Sequence, residues 1–434
     1  MFLKDIGSSN KFYLYLSRGG KAAVMEYRYQ TDIKTDPDTL RRAVRASLER
    51  FPFFAMHPYL DGNGKLSAKE NSNNVPVFFN DDKYRCLGTD ETNGYLFCVN
   101  ADDDSVRICA SHALADGRGI FFFSQLVIYE YLKLSGCDMG DEFVPYSESD
   151  TAEGDVTELL TEVCGRTAAE ADGNMYVPHG VFVIPEECVH EGTEFTRDVR
   201  LIWDQNEFMD AVHSLGTTPA CFMAAAAAQA MYRNYDIGDK TVVADVPVDL
   251  RAMLGSRAQS NFTANVSLPY ESSYRELSMK EQTAALRYSL KAQAVKDNLV
   301  AAVNAFAPVL DMIAALPLND DSALSKLFGG GDSAAEPRRT YLLSNIGAVR
   351  FPPAMDSHIK DFSLRGTNLE SSPAFVLISF RDKGMLIMQQ NYDDMKITNT
   401  IRDILKEFGV NAEISDSGTT RCHSLDPGKF DRLG

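Results

Sequence analysis

The run GIFFFSQLVIYEYLKL, Gly119–Leu134, constrains the fold more than any other stretch of the chain. A surface helix shows one apolar stripe, whereas Ile120, Phe122, Phe123, Leu126, Val127 and Tyr131 leave almost no polar face. Such a helix must lie buried between two layers. Two strand-like segments precede it, GYLFCVN at 94–100 and SVRICAS at 105–111, joined by a short acidic turn. The second alternates apolar positions at Val106, Ile108 and Ala110, so the pair predicts an antiparallel hairpin. Between hairpin and helix lies HALADG, His112–Gly117. A strand end followed by a tight turn and a buried helix can hold an imidazole in one orientation.

The remaining segments say what surrounds that turn. Asp36 as N-cap, Pro37 at the first helical position and Leu40, Val44 and Leu48 on one face predict an amphipathic helix that ends in Phe51, Phe53 and Phe54. VPVFFN at 75–80 predicts a further strand. An acidic connector spans roughly 136–174, with a short helix at 155–169. A second cycle then begins with a strand at 195–203, a helix at 205–215 and a helix opened by Thr218 and Pro219 and rich in alanine. A buried strand comes next at 242–251, and Ser278 with Glu281 in capping-box position opens a long helix running to about Ala305. The loop GGGDSAAEPRR at 329–339 lacks the Lys-Ser/Thr of a phosphate-binding loop. A strand through YLLSNIG, a hairpin from FVLISF to MLIMQQNYD and a helix at 396–408 complete the pattern. At 434 residues the chain exceeds what one core holds. The expectation is a mixed α/β fold of two architecturally similar subdomains, 1–174 and 175–434, without a sequence repeat.

Charge and cysteine usage exclude several function classes. A formal charge of −18, with no Lys/Arg cluster, argues against a nucleic-acid partner and against anionic membranes. The start lacks the apolar core of a secretory signal, and no apolar run approaches the roughly 18 residues that a membrane helix needs, so a cytoplasmic location and no membrane partner are expected. Eight cysteines without a C-x-x-C pair are expected to be reduced thiols, mostly buried. The two glycosylation-type sequons, at Asn261 and Asn265, matter only in a secreted protein.

A lone histidine is ordinarily a hydrogen-bonded structural residue, so His112 has to be weighed by its surroundings. A metal centre needs a third ligand near His112 and Asp116, and none is adjacent; no metal is expected. The nucleophile elbow G-x-S-x-G does not occur, and no local signature marks a cysteine as nucleophile. A histidine can instead act as general base, taking the proton of a hydroxyl, amine or thiol while that group attacks an activated carbonyl. This chemistry needs two co-substrates and no covalent intermediate.

HALADG after a strand resembles the H-x-x-x-D-G motif of the chloramphenicol-acetyltransferase-like superfamily, which includes condensation domains, BAHD acyltransferases and alcohol O-acetyltransferases. LRRAVRASLERFPFFAMHPYL resembles the first helix of that group and the segment after it, VDLRAMLGSRAQSNFTANVSLP its D-x-R segment, and LLSNIGAVRFP its S-N-x-G strand. Ser111 stands where peptide-forming condensation domains usually carry a second histidine, and D-F-G-W-G is absent. Both departures favour the alcohol O-acetyltransferase-like branch.

The resemblance implies two acyltransferase-like subdomains in a V around a central channel, with His112 midway along it as general base. It implies that Asp116 points away from substrate and pairs with an arginine, for which Arg251 is the candidate, and that Gly117 permits the turn. Ser344 and Asn345 would lie near the developing oxyanion. From the residues alone, Arg251 can equally pair with Asp245 or Asp249, and Ser344-Asn345 can simply begin a turn before Gly347. The implied activity is transfer of an acyl group, acetyl by preference, from a coenzyme A thioester to an alcohol or amine. Acyl-CoA is then a co-substrate, and no cofactor is permanently bound. An acidic protein needs a local basic patch for that anionic donor, with Arg338, Arg339 and Arg350 as candidates. Two alternatives stand beside it. One is a free-standing condensation domain fed by an acyl carrier protein, disfavoured by like charge; the other is a non-catalytic binding module of the same fold.

Overall fold

The computed structural model describes residues 7–17, 24–140, 143–185, 195–318, 338–366, 372–421 and 423–432. The chain opens with helix α1 (Ser8–Leu16), strand β1 (Val24–Thr31) and helix α2 (Pro37–Leu48). The Asp36 carboxylate caps α2 by accepting from the Thr39 N–H at 2.7 Å, and Leu40, Ala43 and Val44 form its buried stripe. Strands β2 (Met56–Leu60), β3 (Leu66–Glu70), β4 (Val77–Phe79) and β5 (Cys86–Leu87) come next. The predicted hairpin is β6 (Phe97–Ala101) and β7 (Ser105–Ser111), antiparallel with Cys98 opposite Cys109. The buried helix, α3 (Gly117–Leu134), lies against α2, and Phe54 stacks on its Phe123 with ring centroids 4.2 Å apart.

The short helix α4 (Leu160–Gly165) is all the helix that the connector contains among the described residues, less than the 155–169 expected. Strand β8 (Phe195–Asp204) and helices α5 (Gln205–Ser214) and α6 (Pro219–Asn234) open the second half. Ala224–Ala228 of α6 are all buried, which lets the helix approach its sheet closely. Strand β9 (Val242–Asp249), the single turn α7 (Arg251–Leu254), strand β10 (Thr263–Tyr270) and helices α8 (Met279–Gln293) and α9 (Lys296–Ala315) continue the chain. Strand β11 (Tyr341–Val349), the short helix α10 (Pro353–His358), strands β12 (Ile359–Gly366), β13 (Ala374–Phe380) and β14 (Lys383–Gln390), and helix α11 (Lys396–Glu407) succeed them. The chain closes with strands β15 (Glu413–Arg421), β16 (Ser424–Leu425) and β17 (Asp431–Arg432).

The two halves each build one large sheet and one core. The first sheet has the order β12-β1-β7-β6-β4 and the second β10-β9-β11-β13-β14-β8-β15. Separate apolar cores lie on each, and a smaller one joins Leu160 and Val163 to Leu250, Phe262, Leu299 and Val300 where the halves meet. Three late segments cross back to the first half: β12 pairs with β1, β16 with β5 and β17 with β2.

Two sequence expectations are corrected. The helix predicted from Ser278 to about Ala305 is two helices, because Val295 is extended between α8 and α9. Side-chain amides capture the backbone at the break: Gln293 donates to the Ser267 carbonyl at 2.8 Å and Asn298 to the Ala292 carbonyl at 3.1 Å. Helix α9 is also long and apolar enough to cross a membrane by length and composition, a run that the sequence expectation passed over. Here it packs against α1 and α4. The glycine-rich loop at 329–339 lies outside the described residues apart from its last two arginines, as do Cys188 and Cys422; the six described cysteines are free thiols.

Candidate functional site

The turn after β7 is built by its own backbone and by its neighbours. Ser111 is fully buried and its hydroxyl accepts from the Ala113 N–H at 3.1 Å. It shapes the turn. Asp116 then caps α3, accepting from the Gly119 N–H at 2.9 Å, which is the most direct reason that the helix starts where it does.

Asp116 also receives the segment after β9. Arg251 donates through Nη1 and Nη2 to the two carboxylate oxygens at 3.0 Å each, and the Phe262 N–H donates at 2.7 Å. Both partners are buried, with 2% and 6% of their surface exposed, so this fork-on-fork pair is shielded from solvent and salt. Arg251 is further tied to the carbonyls of Ala258 and Ser260, at 2.6 Å each, and to Asp249 at 3.0 Å. Every donor of its guanidinium is used. The two halves of the chain are thus clamped together directly behind His112.

The glycine of the motif, Gly117, and Gly119 just beyond it divide the work differently from the sequence expectation. Gly117 does not take a left-handed conformation, and a Cβ there would make only ordinary contacts with Tyr27 and Met25. Its part is to offer a carbonyl to which the Tyr27 hydroxyl donates at 2.7 Å. The sterically constrained position is Gly119, where a Cβ would overlap the Gln259 carbonyl oxygen. Gly119→Ala is therefore expected to lower the unfolding free energy by about 1–3 kcal/mol, as overpacking does. Denaturant unfolding of the variant beside wild type measures this, and an unchanged midpoint would mean that the 259 segment can retreat.

His112 is half-buried, with its Nδ1 enclosed and without a hydrogen-bond partner among the described residues. Its carbonyl accepts from the Asn261 amide at 2.8 Å, which fixes the backbone that carries it. Tyr13 of α1 lies flat on the imidazole, ring centroids 3.9 Å apart and planes 15° from parallel. Burial pushes the histidine's pKa below its ordinary value, against a weaker upward pull from the Asp116 charge. The shift favours the neutral form of the ring.

A cavity of about 720 Å³ opens beside this histidine, walled by Phe12 and Tyr13 of α1, Asn261, Phe306 of α9, and Arg338 and Arg339. Most of its other walls are apolar, as suits a small-molecule site. Of the expected basic patch, Arg338 and Arg339 line the cavity and Arg350 does not; Arg339 is ion-paired with Asp245 at 3.2 Å. Ser344 and Asn345 sit on β11, half-buried and exposed, beside a bulge between Asn345 and Gly347. Among the described residues neither side chain hydrogen-bonds to anything in the His112 cluster.

Sequence reasoning missed Tyr13 altogether, and it treated Asn261 only as a sequon and as part of a motif. Helix α1 has no side-chain cap, and five consecutive large apolar residues, Phe12–Leu16, give it no periodicity to detect. Asn10 is the one clue. It is fully buried and donates to the carbonyls of Ala113 and Leu114 at 3.0 and 3.2 Å, pinning α1 to the turn.

One further set of side chains has metal-ligand chemistry. The ligand atoms of Cys98, Cys109 and His423 lie within 4.8 Å of one another, and all three residues are buried. Nδ1 of His423, however, accepts from the Arg85 backbone N–H at 3.0 Å, so the neutral ring keeps its proton on Nε2, the atom facing the thiols. A metal-bound histidine donates from its outer nitrogen instead. The set fits hydrogen bonding instead: the Asn100 amide donates to the sulfurs of Cys98 and Cys109, Nε2 of His423 faces the Cys98 sulfur, and the chain's last segment is held against β6 and β7.

No family model matches the sequence, and no curated protein is similar to it in sequence. Solved structures are similar in fold. A polyketide synthase associated protein from Mycobacterium tuberculosis has a TM-score of 0.65 at 14% identity, covering 93% of this chain and 98% of that one. TRI3 trichothecene 15-O-acetyltransferase from Fusarium sporotrichioides has a TM-score of 0.60 at 12% identity, covering 93% and 94%. The epimerization domain of the third module of tyrocidine synthetase B has a TM-score of 0.57 at 10% identity, covering 94% and 97%. Acetyltransferase and synthetase domain thus share one two-subdomain fold with this chain.

Proposed function

We propose that the protein is an acyltransferase that moves an acyl group, acetyl in the simplest case, from a coenzyme A thioester to a hydroxyl or amine acceptor. The observation that carries this is the held imidazole of His112, its neutral form favoured, beside a mostly apolar cavity, at the point where Asp116 and Arg251 join the two halves. The fold adds support: a similar solved structure, TRI101 of F. sporotrichioides, was determined with coenzyme A and T-2, at a TM-score of 0.58 and 10% identity, covering 95% of this chain and 100% of that one.

The chemistry depends on which nitrogen is free. With Nδ1 enclosed, Nε2 takes the proton of the acceptor's O–H or N–H as that atom attacks the thioester carbonyl. The tetrahedral intermediate collapses, the carbon–sulfur bond breaks, and the leaving thiolate recovers the proton from the imidazolium. Asp116 touches no substrate in this scheme; it positions the turn. Ser344 and Asn345 are proposed donors to the oxyanion, Arg338 and Arg339 part of the anionic donor's path, and the cytoplasm the place of action, in keeping with free thiols.

Purified protein incubated with acetyl-CoA and a panel of alcohols and amines is expected to release free thiol only when both substrates are present. Release with carrier-bound thioesters alone would select the condensation reading, and failure of every donor to give release would select the binding module. The pH dependence carries a sign. The base works while neutral and its pKa is lowered, so kcat/KM should hold on acidification past the ordinary imidazole value of about 6.5 and fall only below it. An acid limb above that value would contradict a buried base.

A further inference from the structure

We propose that Tyr13 is a positioning residue for His112: its ring fixes the plane of the imidazole and keeps water off its face, leaving Nε2 as the edge that meets the acceptor. This rests on the base role given to His112 for its consequence in catalysis, though not for its structural part.

Four observations support it. The two rings are stacked, at 3.9 Å between centroids and 15° between planes, over one face of the imidazole. Tyr13 also lines the cavity, whereas His112 is not among the residues that wall it, so the tyrosine separates the histidine's face from the space that substrate would fill. The stack is rigidly built, because α1 is tied to the histidine's own turn by the two hydrogen bonds of the buried Asn10. On its other side α1 meets α9 through the edge-to-face contact of Phe12 with Phe306, centroids 6.2 Å apart.

The groups around His112 leave the tyrosine as the variable element. Asp116, neutralised by Arg251, comes from the motif itself; Asn261 reaches in from the segment before β10; and Tyr13 covers the ring from α1. The ion pair of Asp245 with Arg339 stands farther off and acts on the tyrosine. Burial, and then the Asp116 charge, push the phenol's pKa well up, so the ring stays uncharged wherever the histidine titrates. A neutral aromatic plate excludes water from one imidazole face and gives the imidazolium no counter-charge. Removing it should hydrate the ring and favour its charged form.

The test is direct titration of His112 by NMR of ring-labelled histidine, with the signal assigned among the seven histidines by His112→Gln. Wild type and Tyr13→Phe, which keeps the plate, should titrate alike and below the ordinary histidine value. Tyr13→Ala should titrate higher by on the order of one pH unit. The acid limb of kcat/KM should move with it, and kcat should fall by roughly tenfold or more while Tyr13→Phe retains it. Should Tyr13→Ala fail to fold, Tyr13→Leu, which keeps helix and apolar bulk but not the flat contact, takes its place and should also titrate higher. An unchanged midpoint in whichever of these folds overturns the proposal. A failure of the base role is distinguishable: His112→Ala would then leave acyl transfer intact, whatever the midpoints of the Tyr13 variants.

Discussion

Replacing Asp116 by alanine is expected to cost about 3–5 kcal/mol of folding free energy, the loss seen when one partner of a buried ion pair is removed. The carboxylate takes four hydrogen bonds, from Gly119, Phe262 and both terminal nitrogens of Arg251, in a site where 2% of its surface is exposed. Its removal strands the Arg251 guanidinium with only Asp249 as a counter-charge, and leaves the Phe262 N–H without its partner. Arg251→Ala should cost a similar amount, and the double variant distinctly less than the sum, because the two single changes break the same contact. Arg251→Lys should not rescue, since a point charge cannot make two parallel bonds to one carboxylate. Denaturant unfolding of the four variants measures all of this. A cost below about 1 kcal/mol for Asp116→Ala, the scale of a surface pair, would show that the clamp holds nothing.

His112→Ala is expected to lower kcat/KM by about 10²–10⁴-fold, the usual contribution of a general base, with the fold intact. The folded state should tolerate it because the anchor of residue 112 is its carbonyl, bonded to Asn261, which alanine retains. Loss of activity together with loss of the near-UV circular dichroism signal would instead make the histidine structural. Asp116→Ala and His112→Ala thus separate the two sides of the motif: the first is felt in stability and through it in activity, the second in activity alone.

The local elements of the fold are those that sequence shows best. The α2 helix announces itself by Asp36, Pro37 and a clean apolar face, α6 by Thr218 and Pro219, and the β6–β7 hairpin by alternation and an acidic turn; each is present where its own residues place it. The long helix divided because the break depends on tertiary partners, the Ser267 carbonyl for Gln293 above all, which no local pattern reveals. The return of β12, β16 and β17 to the first half was invisible for a related reason: short strands far along the chain carry no mark of the partner they will pair with. Of the candidate site, His112, Asp116 and Arg251 could be read from motifs, whereas Tyr13 comes from a helix without periodicity and Gly119 matters only because the Gln259 carbonyl passes it. The glycine that the motif itself names, Gly117, needs no special backbone freedom.

The most direct measurement is of both products, free thiol and acylated acceptor, from acyl-CoA with wild type and His112→Ala side by side, with mass spectrometry of the intact protein after donor alone. With His112 acting as base on a bound acceptor, thiol and acylated product should appear in equal amounts only with both substrates present, the protein should gain no acyl mass, and the variant should form neither product above background. Equal rates in wild type and variant, or an acyl group carried on the protein, would contradict it.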